Sequence, residues 1–321
     1  MKKSIASAPG KVILFGEHFI VYGGKAILSS INKRITVETQ SSNSDKIEVS
    51  SDLGAINVSK SEPVQNINPI FRPVIHVAQK ILKQFNSNSG LKITIRSEIP
   101  AGVGLGSSSA CCVAAASSIS GLFANYSKEK VLQLAIEAEK TIFENVSGAD
   151  STVCTYGGII EYSRDGKIKK LDFVPKFQLV IADSKIMHST SQVVSKVKKF
   201  KDDNPQVFST LGDKEASLIE ETLLALKKND LNTVGAKMKQ NQAHLEKIGV
   251  SNDLLGVMLD AVNDVAYGAK LTGAGDGGCI IALVDDTNLD RTIVALRSKN
   301  YECFAAQIDT SGVEQKMEGA S

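Results

Sequence analysis

A run of serines that starts at Ser107 is preceded by glycines at alternate positions, Gly102, Gly104 and Gly106. The segment lies between a strand-like stretch and an Ala/Ser-rich stretch that has the composition of a tightly packed helix. Glycine tolerates positive φ and lets the backbone approach a ligand, while the first turn of a helix offers free N–H groups to a phosphate. The pattern predicts a phosphate-binding loop; a serine-capped helix without a ligand is the plainer alternative.

This loop matches none of the common nucleotide-binding motifs. A P-loop needs a lysine directly before its serine or threonine, and none stands there. A dinucleotide fingerprint needs a third glycine at position 107, and the literal G-x-G-x-x-G that starts at Gly273 leads into a strand-like run instead of a helix. The H-R-D and D-F-G motifs of protein kinases do not occur. The phosphate site must therefore be of another design.

Two further segments concentrate residue types that do chemistry. Lys11 precedes an apolar run that ends in the pair Glu17-His18, and Asp150 lies between a turn and a glycine-flanked apolar stretch. Each residue alone also has an ordinary structural interpretation, namely a surface lysine, a partly buried histidine and a helix N-cap.

Composition limits the class of protein. The chain has 321 residues, 42% hydrophobic and 22% charged, with a formal net charge of +2, which is typical of a globular protein of one or two domains. The near-neutral charge predicts no nucleic-acid partner, and the lack of an apolar run of about 18 residues predicts no membrane association. Five cysteines without C-x-x-C spacing and the absence of a signal peptide predict a cytoplasmic protein with reduced thiols.

Hydrophobic periodicity indicates strands and helices in mixed order. The expected helices are 70–85, 107–123, 128–143, a nearly continuous helical region 190–266, and 287–299. Residues 50–68 are expected to form an irregular connection, and the polar tail 312–321 to be frayed. The pattern of elements changes near residues 175–185, and we place a domain boundary there. The predicted domains are 1–178 and 179–321.

Three segments taken together resemble the GHMP kinase superfamily, named for galacto-, homoserine, mevalonate and phosphomevalonate kinases. They are A-P-G-K-V-I-L-F-G-E-H-F-I-V-Y-G (Ala8–Gly23), P-A-G-V-G-L-G-S-S-S-A (Pro100–Ala110) and K-L-T-G-A-G-D-G-G-C (Lys270–Cys279), in the family's order and at its distances. The G-E-H and V-Y-G residues and the segment Ser147–Gly158 resemble the mevalonate kinases in particular.

The resemblance implies an α+β protein with the two-domain GHMP kinase fold, in which an N-terminal α+β domain and a C-terminal ferredoxin-like α/β domain enclose the active site. It implies ATP-dependent phosphorylation of (R)-mevalonate to 5-phosphomevalonate, with Mg²⁺ as cofactor. Related enzymes are often dimers, so a homodimer is an open alternative to a monomer.

The resemblance also implies site residues. Asp150 would be the base for the substrate hydroxyl, with Lys11 beside it to stabilise negative charge. Mg²⁺ would be held by Ser108 and Glu139. The ATP phosphates would be bound by Gly102, Gly104, Leu105, Gly106, Ser107, Ser108, Gly273 and Gly275, with Gly277 in the same closing loop as the last two. The substrate pocket would include His18, Val21 and Thr190.

Two departures from the family pattern stand out. Asp276 occupies a position where the family usually has glycine; we expect its side chain to face solvent, with a weakened nucleotide affinity or contact to a cation as alternatives. Phe143-Glu144 replaces the usual His-Gly or Gln-Gly.

The competing functions are another kinase of the superfamily, such as a phosphomevalonate kinase, and a non-catalytic ligand sensor. A nicotinamide-dependent oxidoreductase is disfavoured by the context of the glycine loops.

Overall fold

The computed structural model describes residues 2–100, 102–144, 146–187 and 189–319. The strands are β1 (Lys3–Phe15), β2 (Lys25–Ser42), β3 (Lys46–Ser51), β4 (Gly54–Ser59), β5 (Gly90–Ser97), β6 (Ile159–Ser163), β7 (Ile168–Lys170), β8 (Gln178–Asp183), β9 (Gly268–Thr272), β10 (Cys279–Val284), β11 (Cys303–Gln307) and β12 (Glu314–Glu318). The helices are α1 (Arg72–Gln84), α2 (Ser107–Gly121), α3 (Lys128–Glu139), α4 (Ala149–Tyr156), α5 (Thr190–Asp203), α6 (Pro205–Lys228), α7 (Leu231–Lys247), α8 (Asp253–Val262) and α9 (Leu289–Arg297). Short 3₁₀ turns occupy Phe19–Tyr22 and Val64–Asn66.

The first sheet has the order β12-β1-β2-β5-β3-β4, and β6 pairs with β2 and β7. Its pairings are antiparallel except that of β3 with β5. Helix α2 packs on β1 and β2, and α1, α3 and α4 pack against α2.

Helix α2 can approach the sheet closely because its residues are small. Alanines and serines dominate it, and it is buried nearly all round from Ser109 onward. Buried hydroxyls need partners. Ser118 Oγ donates to the carbonyl of Ser4 at 2.9 Å and lies 2.7 Å from Thr39 Oγ1. The close packing fixes the position of the helix start, where the glycine loop ends.

The second sheet is antiparallel, in the order β11-β8-β10-β9. Its central strand β10 is a continuous apolar run that is buried along its whole length, as expected of a strand covered on both faces. Helices α7, α8 and α9 pack on this sheet, and α6 packs on α7.

The two sheets are tied together by polar contacts between distant parts of the chain. Thr272 Oγ1 on β9 accepts from the amide of Ile13 on β1 and donates to its carbonyl, each at 3.0 Å. Arg34 on β2 forms an ion pair with Asp309 and donates to the carbonyl of Gly312 at 2.7 Å. The contacts of Arg34 hold the segment after β11 against the first sheet.

The predicted helices are confirmed, with three corrections to the expected secondary structure. Part of the expected irregular connection 50–68 is strand β4, which pairs with β3. The tail is not frayed over Glu314–Glu318, because these residues pair with β1 as β12. The helix expected over 128–143 ends at Glu139. The division at residues 178 and 179 stays a prediction; it falls at the start of β8. In the described part of the chain no helix is long and apolar enough to cross a bilayer.

Candidate active site

The first glycine loop has the backbone that its sequence predicts. Gly102, Gly104 and Gly106 have φ of 76°, 84° and 73°. Gly106 is the N-cap of α2, and no side-chain hydrogen bond caps this helix start among the described residues. The serine N-cap of the plainer alternative is therefore wrong. The N–H groups of the first turn, from Ser107 onward, are available to an anion.

The second glycine loop, residues 273–278, lies against the first. A β-carbon on Gly273 would be 3.9 Å from Cα of Gly104. Gly275 and Gly277 have positive φ, and β-carbons there would lie 2.2 Å from the carbonyl oxygen of Val250 and 2.5 Å from that of Ile186. The structure thus brings the two predicted phosphate-binding loops together.

Lys11 and Asp150 meet beside the first loop. The amide of Lys11 on β1 donates to the carbonyl of Leu105 at 2.9 Å, and the Leu105 side chain is buried in the core. The Lys11 side chain is also buried, and its Nζ lies 3.1 Å from Oδ2 of Asp150. Asp150 lies in the first turn of α4, after the N-cap Gly148 with φ of 80°. A partly exposed carboxylate and a buried ammonium are therefore held together at the start of α2.

Glu139, at the end of α3, is a buried carboxylate whose hydrogen-bond partners are neutral. Its Oε1 accepts from Ser109 Oγ, and its Oε2 accepts from Ser151 Oγ at 2.8 Å. Burial raises the pKa of this carboxyl group above its ordinary value of 4.5, against the opposing effect of the two hydroxyl groups. A nearby cation would reverse this destabilisation of the charged form.

The donor set around Glu139 is compatible with Mg²⁺ but not with a metal cage built from protein alone. No group of three or more His, Cys, Asp or Glu side chains with metal-binding geometry occurs in the described ranges. Mg²⁺ usually takes one or two carboxylates together with phosphate oxygens and waters, and each oxygen of Glu139 keeps a free lone pair beside its hydroxyl donor. Ser108 is half-buried on the first turn of α2, and it is its neighbour Ser109 that bonds to Glu139.

Of the three predicted substrate contacts, His18 is tied to the second loop. Its Nε2 lies 2.7 Å from the carbonyl oxygen of Ala274. Burial lowers the pKa of His18 below 6.5, so the neutral ring donates this hydrogen bond. Val21 is exposed in the 3₁₀ turn Phe19–Tyr22, and Thr190 is exposed at the start of α5.

Sequence reasoning missed the pair that joins the first and third segments. Glu17 and Lys270 are both fully buried and form an ion pair. Lys270 Nζ also donates to the carbonyl of Leu271 at 2.6 Å. Burial raises the pKa of Glu17 and lowers that of Lys270. The only available signal was that each residue lies inside one of the recognised segments. Ser109 and Ser151, the partners of Glu139, were missed as well.

The Asp276 side chain is partly exposed, and it contacts a cationic side chain, which was the stated alternative to facing solvent. Its Oδ2 lies 2.9 Å from Nζ of Lys196 on α5. Phe143 and Glu144 follow α3, and both are exposed.

Comparison with known proteins agrees with this architecture. Family models described as "GHMP kinases N terminal domain" and "GHMP kinases C terminal" match residues 72–158 and 222–303. The chain belongs to the GHMP kinases, and the predicted two-domain α+β fold of that family is confirmed.

Individual relatives show to which branch of the GHMP kinases the chain is similar. The chain is 32% identical to the mevalonate kinase of Aeropyrum pernix, over 96% of each chain. The crystal structure of the Methanococcus jannaschii mevalonate kinase matches with a TM-score of 0.85 at 28% identity, covering 95% of this chain and 98% of the other. That of the L. major mevalonate kinase in complex with R-mevalonate matches with a TM-score of 0.79 at 28% identity, covering 95% and 96%. Within the GHMP kinases, the chain is a phosphotransferase of the mevalonate kinase family.

Proposed function

We propose that the protein transfers the γ-phosphoryl group of ATP to the C5 hydroxyl of (R)-mevalonate, giving ADP and 5-phosphomevalonate, a step of the isoprenoid pathway. The observation that carries the chemistry is the 3.1 Å approach of Lys11 Nζ to Asp150 Oδ2 beside the uncapped start of α2. The identity of the acceptor is supported by the mevalonate kinases that the chain resembles along its length and by the R-mevalonate bound in one of them.

Asp150 is the proposed base. As the substrate oxygen bonds to the γ-phosphorus, its proton passes to the Asp150 carboxylate, and the bond from the phosphorus to the bridging oxygen of ADP breaks. Phosphoryl transfer depends mainly on positioning and charge stabilisation. The buried ammonium of Lys11 supplies positive charge at the oxygen that loses its proton, and a charge already fixed in place needs no reorganisation during the reaction.

The glycine loops are the proposed binding site for the ATP phosphates. The amides at the start of α2, including those of Ser107 and Ser108, point outward from an uncapped helix end, where the helix dipole also favours an anion. Gly273 brings the second loop against the first, so that phosphate oxygens are approached from both sides. His18, held on Ala274, is proposed to contact mevalonate near this junction, with Val21 and Thr190 at the outer part of the pocket.

Glu139 and Ser108 are the proposed ligands of Mg²⁺. When bound, the ion would supply positive charge to the phosphate oxygens of the nucleotide. Ser109 and Ser151 orient the Glu139 carboxylate through their hydroxyl groups. The raised pKa of Glu139 supports this proposal, because a buried carboxylate without an ion-pair partner in the described chain is suited to receive a cation.

A reducing compartment, and hence the cytoplasm, is the proposed location. All five cysteines are free. Burial raises the pKa of Cys111 to about 12 and that of Cys279 to about 12. These thiols are therefore protonated and weakly reactive at neutral pH.

The deciding experiment measures ADP release by the purified protein with ATP and Mg²⁺ in four parallel reactions. The acceptors are mevalonate, 5-phosphomevalonate, homoserine and galactose. We expect activity with mevalonate alone and, by NMR, phosphate on its C5 oxygen. Activity confined to 5-phosphomevalonate would favour the rival kinase assignment. ATP binding without turnover of any acceptor would favour a ligand sensor.

A further inference from the structure

The second glycine loop carries one carboxylate whose position is fixed by packing. Asp276 has φ of 60°, unusual for a residue with a side chain, and its amide donates to the carbonyl of Val250 at 2.7 Å. Its neighbours Gly275 and Gly277 leave no space for a β-carbon against Val250 and Ile186. These contacts fix the backbone of the loop at Asp276, on the side that faces Lys196.

Lys196 reaches this carboxylate from a different element. It lies on α5, its stem passes Gly249 (where a β-carbon would be 3.6 Å from Cε), and its Nζ is 2.9 Å from Asp276 Oδ2. The two side chains are 49% and 33% exposed. Ion pairs this exposed contribute little to folding stability. A larger effect of this ion pair is therefore expected only on the binding of a charged ligand at the loop.

A polyphosphate is such a group. Three residues before Asp276, the loop makes its contact with the first glycine loop at Gly273 and Gly104. An uncompensated carboxylate about 10 Å from a polyphosphate would repel it, by an amount equal to about a four- to eightfold loss of affinity for two to three charges in water without salt. At about 0.02 M salt, screening reduces this loss to about two- to fivefold. We propose that Lys196 is a positioning residue that neutralises Asp276 and so lets the second glycine loop accept the phosphates of the nucleotide. The inference rests on the proposed function, which assigns this loop to ATP.

The test compares four variants with the unmodified protein: Lys196→Gln, Asp276→Asn, the double variant and Lys199→Gln. Asparagine tolerates positive φ, so Asp276→Asn removes the charge without disturbing the backbone. Lys199 is an exposed lysine of the same helix, and its replacement is the matched control for loss of one positive charge. Binding of ADP with Mg²⁺ is measured by calorimetry at about 0.02 M and about 0.5 M salt, where the screening length differs several-fold.

We expect Lys196→Gln to weaken ADP binding about two- to fivefold at low salt, and the loss to vanish at high salt. Asp276→Asn should bind ADP slightly more tightly than the unmodified protein. The double variant, which lacks both charges, should bind ADP as tightly as the unmodified protein. In turnover, Lys196→Gln should raise the KM for ATP and leave kcat within about twofold. Lys199→Gln should show less than half of the effect of Lys196→Gln.

Either of two results would overturn the inference. One is unchanged ADP binding in Lys196→Gln at low salt. The other is a double variant as weak as Lys196→Gln, because Lys196 would then act on the nucleotide without Asp276. Calorimetry requires no turnover, so a protein that binds ADP with this pattern but does not phosphorylate mevalonate would contradict the proposed function alone. Lack of ADP binding by the unmodified protein would contradict both.

Discussion

A β-carbon on residue 106 would lie 2.6 Å from Cγ of Lys11, so the glycine at this position makes room for the lysine that reaches Asp150. Gly106→Ala combines this collision with an unfavourable φ of 73°. We expect it to displace the Lys11 side chain, to lower kcat at least about tenfold and to cost about 1–2 kcal/mol of stability.

The matched control for this substitution is Gly166→Ala. Gly166 has φ of 81° in an exposed turn with nothing within 4 Å of the β-carbon position. It should lose a similar amount of stability and keep full turnover. Steady-state kinetics and thermal melts measure both, and equal kcat values in the two variants would disprove the importance of the Lys11 path.

Asp150→Asn keeps the size of the side chain and removes its ability to accept a proton. We expect kcat to fall by about two orders of magnitude or more, with ADP binding by calorimetry nearly unchanged. The melting temperature should fall by a few degrees, because the buried Lys11 loses its counter-charge. The side chain is partly exposed, so the fold should tolerate the amide. Near-normal turnover would remove Asp150 from the mechanism.

The metal assignment predicts that Ser108→Ala and Glu139→Ala both raise the Mg²⁺ concentration needed for half-maximal rate. Ser109→Ala is the informative comparison, because Ser109 donates a hydrogen bond to Glu139 but is not itself a proposed ligand of Mg²⁺. It should shift the Mg²⁺ requirement less than Ser108→Ala. The reverse order would assign the hydroxyl ligand to Ser109, and no shift in any variant would contradict the assignment of both ligands.

Glu139→Gln should stabilise the protein in the absence of ligands. Burial raises the pKa of Glu139 above 4.5, so between that value and the folded-state pKa the folded protein binds more protons than the unfolded chain. The free energy of unfolding contributed by this group is therefore highest at low pH and decreases as pH rises through the window. Glutamine does not ionise.

We expect the Glu139→Gln variant to melt a few degrees higher than the unmodified protein at pH 7. The difference should disappear below about pH 4, where the glutamate is protonated in both states. Thermal melts from pH 4 to pH 8 measure this, with Glu137→Gln, an exposed glutamate of the same helix, as control. A variant less stable than the parent at pH 7 would contradict the prediction.

The buried pair of Glu17 and Lys270 predicts strong non-additivity. Glu17→Gln leaves a fully buried ammonium without its counter-charge, which costs about 3–5 kcal/mol. Lys270→Met alone strands the carboxylate at a similar cost. The double variant Glu17→Gln, Lys270→Met removes both charges and should be within about 1–2 kcal/mol of the unmodified protein in urea unfolding. Additive losses would show that the two side chains do not interact in solution.

Much of the site was predictable because the residue types of a short segment determine its backbone conformation. Glycines at alternate positions imply positive φ, and Gly102, Gly104 and Gly106 all have it. The approach of Lys11 to Asp150 was available only through family resemblance. Nothing in the spacing of two residues so far apart in sequence says that β1 and the start of α4 are neighbours.

The parts that could not be predicted depend on long-range contacts or on weak patterns. Glu17 and Lys270 are 253 positions apart, and their burial follows from the junction of two sheets. Which of Ser108 and Ser109 faces Glu139 depends on the rotation of α2 about its axis, since adjacent residues of a helix do not share a face. Strands β4 and β12 are polar edge strands, for which an alternating hydrophobic pattern is weak.

The pairing of β12 with β1 has a kinetic consequence. Lys3 faces Glu318 in this pairing, so the contact closes a chain segment of about 300 residues, and the entropy of closing so long a loop opposes its early formation. Until β12 arrives, the outer edge of β1 presents unpaired amides and carbonyls. A partly folded molecule would thus expose a template for strand addition by another chain. We infer that refolding yield should depend more steeply on protein concentration when residues 314–318 are mutated to break the pairing.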